Sequence, residues 1–243
     1  MKLLFVRHGD PDYENDTLTP LGVKEAEAVA DRLENADIAA FYLSPLGRAQ
    51  LTARATLKRR GEEGTTFDWL REFDAPIHRP DKGGELAITW DWLPQDWLGV
   101  DEFFSVDTWL DADVMKETDV RSEYERVCRG LDGILAQYGY VRENRGYKVE
   151  RESTDTLCFF CHYGVTCVML SHLLNISPML IWHGMAAAPA SITSVITEER
   201  RQGLATFRMN KYGDTAHLDS IGLGGNTNAR FCEIYSDPSQ RHD

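Results

Sequence analysis

Lys2-Leu3-Leu4-Phe5-Val6 is a short apolar run that ends at Arg7-His8-Gly9, the pattern of a buried strand closing in a tight turn. Working outward, Thr19-Pro20 carries an N-cap residue followed by proline at the first helical position. Val23, Ala26, Ala30 and Leu33 then keep to one helical face. Residues 38–43 read as a second buried strand, and Ser44-Pro45 repeats the cap-plus-proline pattern, predicting a helix to about Arg59. Strand, helix, strand, helix predicts a parallel sheet with helices on its faces. The expected fold is therefore a three-layer α/β/α arrangement with a mostly parallel central sheet.

Residues 74–118 break that rhythm. They hold Trp90, Trp92, Trp97 and Trp109 and little periodicity, which suits an inserted lid within a single domain spanning residues 1–243. The tryptophans fit either the core or an apolar wall over a site. Val120, Tyr124, Val127, Leu131, Ile134 and Tyr138 then mark a long amphipathic helix that Gly139 ends. Residues 141–155 are highly charged and read as a solvated loop or surface hairpin. Thr156 to Cys161 is another buried strand, stopping at His162-Tyr163-Gly164 and followed by an apolar helix to about Asn175. Ser177-Pro178 marks a short helix. Residues 191–197 and 204–209 read as two strands around a turn at Gly203, and the tail from Ser236 is polar.

The 243 residues carry 26 Lys+Arg against 39 Asp+Glu, a formal net charge of −13. That balance disfavours nonspecific nucleic-acid binding, which needs a cationic face, but a local arginine cluster still holds an anion at contact distance. With 42% hydrophobic and 27% charged residues the composition is that of an ordinary globular protein. No apolar run reaches the roughly 18 residues that cross a bilayer. Arg7, His8 and Asp10 end the first apolar run too early for a signal peptide. Five cysteines, an odd count, fit a reduced thiol set and a cytoplasmic location. Cys158 and Cys161 form a CxxC, yet on a strand they face opposite sides, which disfavours a metal or redox role. A homo-oligomer is compatible with the sequence but has no support in it.

Two strands thus end in a histidine near a glycine, and ligands of open α/β sheets bind at the carboxyl ends of strands. If both strands are central, His8 and His162 emerge on one edge. Arg48 falls in the first turn of its helix, where its guanidinium joins free N–H groups at an anion, and Arg7 adds a second fork-shaped donor. Two arginines, two histidines and a helix N-terminus suit a tetrahedral oxyanion such as phosphate. No carboxylate cluster for Mg²⁺ and no phosphate-binding P-loop is evident, and the pattern needs no cofactor. A metal-free phosphate site without a cysteine nucleophile points to a histidine nucleophile.

The chain resembles the histidine phosphatase superfamily, the branch holding phosphoglycerate mutases and many small-molecule phosphatases. The similarity rests on LLFVRHGDPDY (3–13), LTPLGVKEAEAVADRL (18–33), YLSPLGRAQLTA (42–53), LREFDA (70–75), CFFCHYGV (158–165), ASIT (190–193) and GDTAHL (213–218). The resemblance implies that His8 is the phosphorylated nucleophile and that Arg7, Arg48 and His162 hold the phosphoryl oxygens. It implies Glu72 as proton donor to the leaving oxygen, with Glu85 and Asp74 as alternatives, and His217 as a histidine at the pocket edge. Four departures stand out: Glu14-Asn15 near the expected asparagine, Phe73-Asp74-Ala75 after Glu72, Ala75-Pro76-Ile77-His78-Arg79 beyond it, and Tyr163 between His162 and Gly164.

The expected activity is metal-independent hydrolysis of a small-molecule phosphomonoester through a phosphohistidine. The rivals are a phosphomutase, for whose second phosphate site the insertion offers only Arg79, Lys82 and Lys116, and a noncatalytic phospho-ligand-binding protein. His78, His172, His183 and His242 are read as structural or exposed.

Overall fold

The computed structural model describes residues 1–224, 234–237 and 239; His242, Cys232 and most of the polar tail lie outside these. Among the described residues eight strands form one sheet: β1 (Lys2–Arg7), β2 (Ala40–Leu43), β3 (Thr65–Thr66), β4 (Tyr140–Glu143), β5 (Gly146–Val149), β6 (Thr156–Cys161), β7 (Ile192–Arg201) and β8 (Leu204–Asp214). Their order is β3-β2-β6-β1-β7-β8-β5-β4. The β3, β2, β6 and β1 block is parallel, and β7 through β4 extend it antiparallel. The charged 141–155 stretch supplies the β4–β5 hairpin at one edge, so it is part of the sheet rather than a free loop.

Period-two alternation along the central strands builds two cores. Leu3, Phe5, Leu157, Phe159 and Cys161 face one side, with helices α3 (Val120–Gln137), α4 (Tyr163–Leu174) and α5 (Pro178–Gly184). Val6, Cys158 and Phe160 face the other, against α1 (Pro20–Leu33), α2 (Gly47–Arg60) and α6 (Ala216–Asp219). Cys158 and Cys161 therefore sit on opposite faces, and the four described cysteines are buried free thiols. No helix among the described residues is long and apolar enough to cross a membrane.

Helix α1 starts as its sequence predicts: Thr19 Oγ1 accepts the Gly22 N–H at 3.1 Å and Pro20 takes the first position. Helix α2 does not. It begins at Gly47 rather than at Pro45, and the Ser44 hydroxyl bonds His162 and the N–H of Leu46, ahead of the first helical residue. The Asp16 carboxylate, from the turn joining the paired segments Pro11–Asp12 and Thr17–Leu18, accepts the Gly47 N–H at 2.6 Å. A cap arriving from 31 residues away leaves no local trace in sequence.

The 74–118 tryptophans divide. Trp92, Trp97 and Trp109 are buried in the larger core, whereas Trp90 is only partly buried. Arg79, fully buried, pairs with Asp81 and donates to the carbonyls of Trp90 and Asp91, fixing the turn that presents Trp90. His183 accepts the Trp92 N–H at 3.1 Å, and His172 pairs with Asp132, both structural as read. His78 is exposed.

Candidate active site

Strands β1 and β6 run in parallel register with Arg7 opposite Cys161. The residue after each strand end is therefore a neighbour of the other, and the His8 and His162 ring centroids lie 5.1 Å apart. Strand β2 flanks β6, so Ser44 emerges beside His162, and α2 then carries Arg48 in its first turn. The sheet edge collects four of the residues singled out from sequence, as the rule for open α/β sheets requires.

His8 is 1% exposed. Its backbone is pinned on both sides, N–H to Cys161 O at 3.0 Å and C=O from Ala190 N at 2.9 Å. Its Nδ1 lies 2.8 Å from the Gly9 carbonyl, which only accepts, so Nδ1 carries the proton and Nε2 keeps a free lone pair. Burial, with Arg7 and then Arg48 adding positive charge, lowers its pKa well below the ordinary histidine value. His162 is lowered likewise by burial, His8, Arg48 and Arg7. Both imidazoles are thus neutral near pH 7.

Arg7 lies 5.6 Å over the Tyr163 ring and donates to Ala187 O. The Tyr163 hydroxyl in turn donates to the carbonyl of Trp182 at 2.7 Å. Arg48 pairs with Asp16 at 2.7 Å and lies 5.4 Å over the Tyr13 ring. Three buried nitrogens in this cluster, Arg7 Nε, Arg48 Nε and His162 Nδ1, have no partner among the described residues. Such groups cost about 1–3 kcal/mol each when left unpaired. They suit a site whose ligand is an anion.

Glu72 approaches from the other side. Its Oε1 accepts the N–H of Phe73 at 2.8 Å and of Val165 at 3.0 Å, so it also caps α4. Burial raises its pKa, more than backbone donors and Arg7 lower it. With Oε1 committed to N–H donors, a proton on this carboxyl resides on Oε2. Gly164 makes room: a Cβ there would lie 2.6 Å from Trp90 Nε1 and 2.7 Å from Glu72 Oε1. Asp74 and Glu85, the alternative acids, are exposed.

His217 lies within hydrogen-bond distance of Ala190 O at 2.9 Å, its Nδ1 has no partner among the described residues, and its charged neighbours are Arg32, Asp214 and Asp219. Sequence reading does not single out Asp16 or Ser44 as parts of the site, whereas Trp90 is among the tryptophans it reads as core or as an apolar wall. Asp16 had one signal, a short acid in a turn, where it adopts a φ of +47°.

The family model of the histidine phosphatase superfamily (branch 1) matches residues 3–139, more than half of the chain. No curated protein matches the sequence. Among solved structures the chain is similar to phosphoserine phosphatase from Entamoeba histolytica in complex with 3-phosphoglyceric acid. That match has 19% identity and a TM-score of 0.57, and covers 89% of this chain and 98% of that one. It is similar also to the mycobacterial glucosyl-3-phosphoglycerate phosphatase in complex with VO3, at 19% identity and TM-score 0.57 over 88% and 99%. A third is the alpha-ribazole phosphatase from Shigella flexneri, at 19% identity and TM-score 0.54 over 86% and 95%. At these identities the likeness is one of fold.

Proposed function

This chain belongs to the histidine phosphatase superfamily, and from that premise we propose that it hydrolyses a small-molecule phosphomonoester through a phosphohistidine on His8. The observation that carries the proposal is His8 itself: a neutral imidazole with its Nδ1 proton held by Gly9 O, its Nε2 lone pair free, and two guanidinium groups beside it. Neutral imidazole is a competent nucleophile toward phosphorus, and the guanidinium pair stabilises charge on the transferred group.

In the first transfer the Nε2 lone pair forms the N–P bond while the P–O bond to the alcohol breaks. Glu72 gives its proton to the departing oxygen, and Arg7, Arg48 and His162 hold the equatorial oxygens. In the second, Glu72 as carboxylate takes a proton from water, the water oxygen bonds phosphorus, and the N–P electron pair returns to Nε2. The products are the alcohol and inorganic phosphate. Every step uses side chains of this protein, without a metal. On this reading Trp90, beside Glu72 and 5.6 Å from Tyr163, meets the leaving group, and the 74–118 segment is the wall of the pocket. His217 supports the Ala190 backbone behind His8. The free buried thiols fit a reducing, cytoplasmic compartment.

A phosphomutase is less well supported. Of the basic residues in the insertion, Arg79 is buried against Asp81 and Lys116 pairs with Asp113, so neither adds to a second phosphate site. The test is phosphate release from an aryl phosphate and a panel of phosphomonoesters. Wild type should turn over with and without chelator, vanadate should inhibit, and His8→Ala should be folded and inactive. A fully active His8→Ala refutes the nucleophile; a wild type that binds vanadate and releases no phosphate supports the noncatalytic rival.

A further inference from the structure

We infer that Ser44 sets the tautomer of His162, placing its one N–H on Nδ1, and so acts as a positioning residue for that histidine. The tautomer follows from hydrogen-bond bookkeeping alone; its use in holding a phosphoryl oxygen rests on the phosphatase reading above.

Ser44 and His162 are both fully buried. Ser44 Oγ lies 2.6 Å from His162 Nε2 and 3.2 Å from the backbone nitrogen of Leu46. The Leu46 N–H is a donor, so it occupies a lone pair of the hydroxyl oxygen. The hydroxyl has one proton, and among these two partners only Nε2 accepts one. Were Nε2 protonated instead, two donors would converge on Oγ and the serine proton would be left buried without an acceptor, an arrangement that folding disfavours. Ser44 therefore donates to Nε2. A neutral imidazole then carries its proton on Nδ1, and Nδ1 is a buried nitrogen without a partner among the described residues.

The backbone of His162 is fixed independently, its carbonyl accepting the Thr166 hydroxyl at 2.6 Å, and what Ser44 adds is the choice of which nitrogen donates. The product is a neutral donor, which contacts an oxyanion without placing a third full positive charge beside His8. The serine comes from the end of β2 and the histidine from the end of β6, adjacent strands in parallel register, so the lock is a consequence of sheet order.

The deciding measurement is a long-range ¹H–¹⁵N histidine spectrum of the wild-type protein, with the His162 signals assigned by their loss in His162→Gln. The expected result is a pyrrole-like, protonated Nδ1 and a pyridine-like Nε2 accepting a hydrogen bond. A protonated Nε2 overturns the inference whether or not the protein is a phosphatase, and an inactive wild type leaves this readout intact. In Ser44→Ala the spectrum should show loss of the single tautomer, and kcat should fall about 10-fold or more with KM changed little, since one misaligned oxyanion donor costs up to 10²–10³. Ser44→Cys, a weaker donor, should fall between. A Ser44→Ala protein that keeps the Nδ1–H tautomer and full kcat refutes the role of Ser44; should that variant fail to fold, the wild-type spectrum decides.

Discussion

Replacing Gly164 by alanine isolates the proposed acid from the nucleophile. The added Cβ would stand 2.6 Å from Trp90 Nε1 and 2.7 Å from Glu72 Oε1, where ordinary contacts begin near 3.4 Å. Both side chains must retreat by the better part of an ångström. Trp90 is held by its own bond to Phe73 O at 2.7 Å, so the more mobile carboxyl takes most of the movement and loses its bond from Val165. A displacement of about 1 Å at a reacting group costs on the order of 10²-fold. The expected loss in kcat is therefore about 100-fold for an alkyl phosphate, whose alkoxide needs the proton. A nitrophenyl phosphate, whose leaving group needs none, should lose less than about 5-fold by the same reasoning on general acids. The fold should tolerate the change, because the gain of about 1 kcal/mol in helix propensity offsets part of an overpacking cost of about 1–3 kcal/mol. Steady-state rates on the two substrates, with thermal melting as control, make the assay. Equal losses on both, or no loss on either with the melt unchanged, refutes the placement of Glu72 at the leaving group.

Two pH predictions follow from the same environments. Turnover of an alkyl phosphate requires neutral His8, whose pKa is lowered, and protonated Glu72, whose pKa is raised, so kcat/KM should fall as pH rises past the Glu72 titration, and Glu72→Gln should be slow with that alkaline fall removed. Glu25 is 1% exposed and accepts the Asp10 N–H at 2.6 Å, and burial pushes its carboxyl up to about 7. The folded state then binds the extra proton between about pH 4.5, the unfolded value, and 7, so stability should drop across that window by about 3 kcal/mol. In Glu25→Gln, urea unfolding at pH 5 and pH 8 should lose most of that difference; an unchanged difference refutes the assignment.

Much of this architecture is legible locally. The unbroken apolar run Leu3-Leu4-Phe5-Val6 points to a strand covered on both faces, and Thr19-Pro20 decides where α1 begins, because strand burial and helix capping are set by residues within a turn of one another. His8, His162, Arg48 and Arg7 are legible for a related reason: each sits at a strand end or a helix start, and the parallel register carries those ends to one edge. What the tertiary structure alone decides involves partners far apart in the chain. Asp16 caps α2 and grips Arg48, Ser44 serves His162 as well as the Leu46 N–H, Gly164 yields space to Trp90 and Glu72, and His217 reaches Ala190. Chain periodicity determines which face a side chain takes, but the choice among competing hydrogen-bond partners is made only when the sheet has brought 30 to 120 residues of intervening chain together.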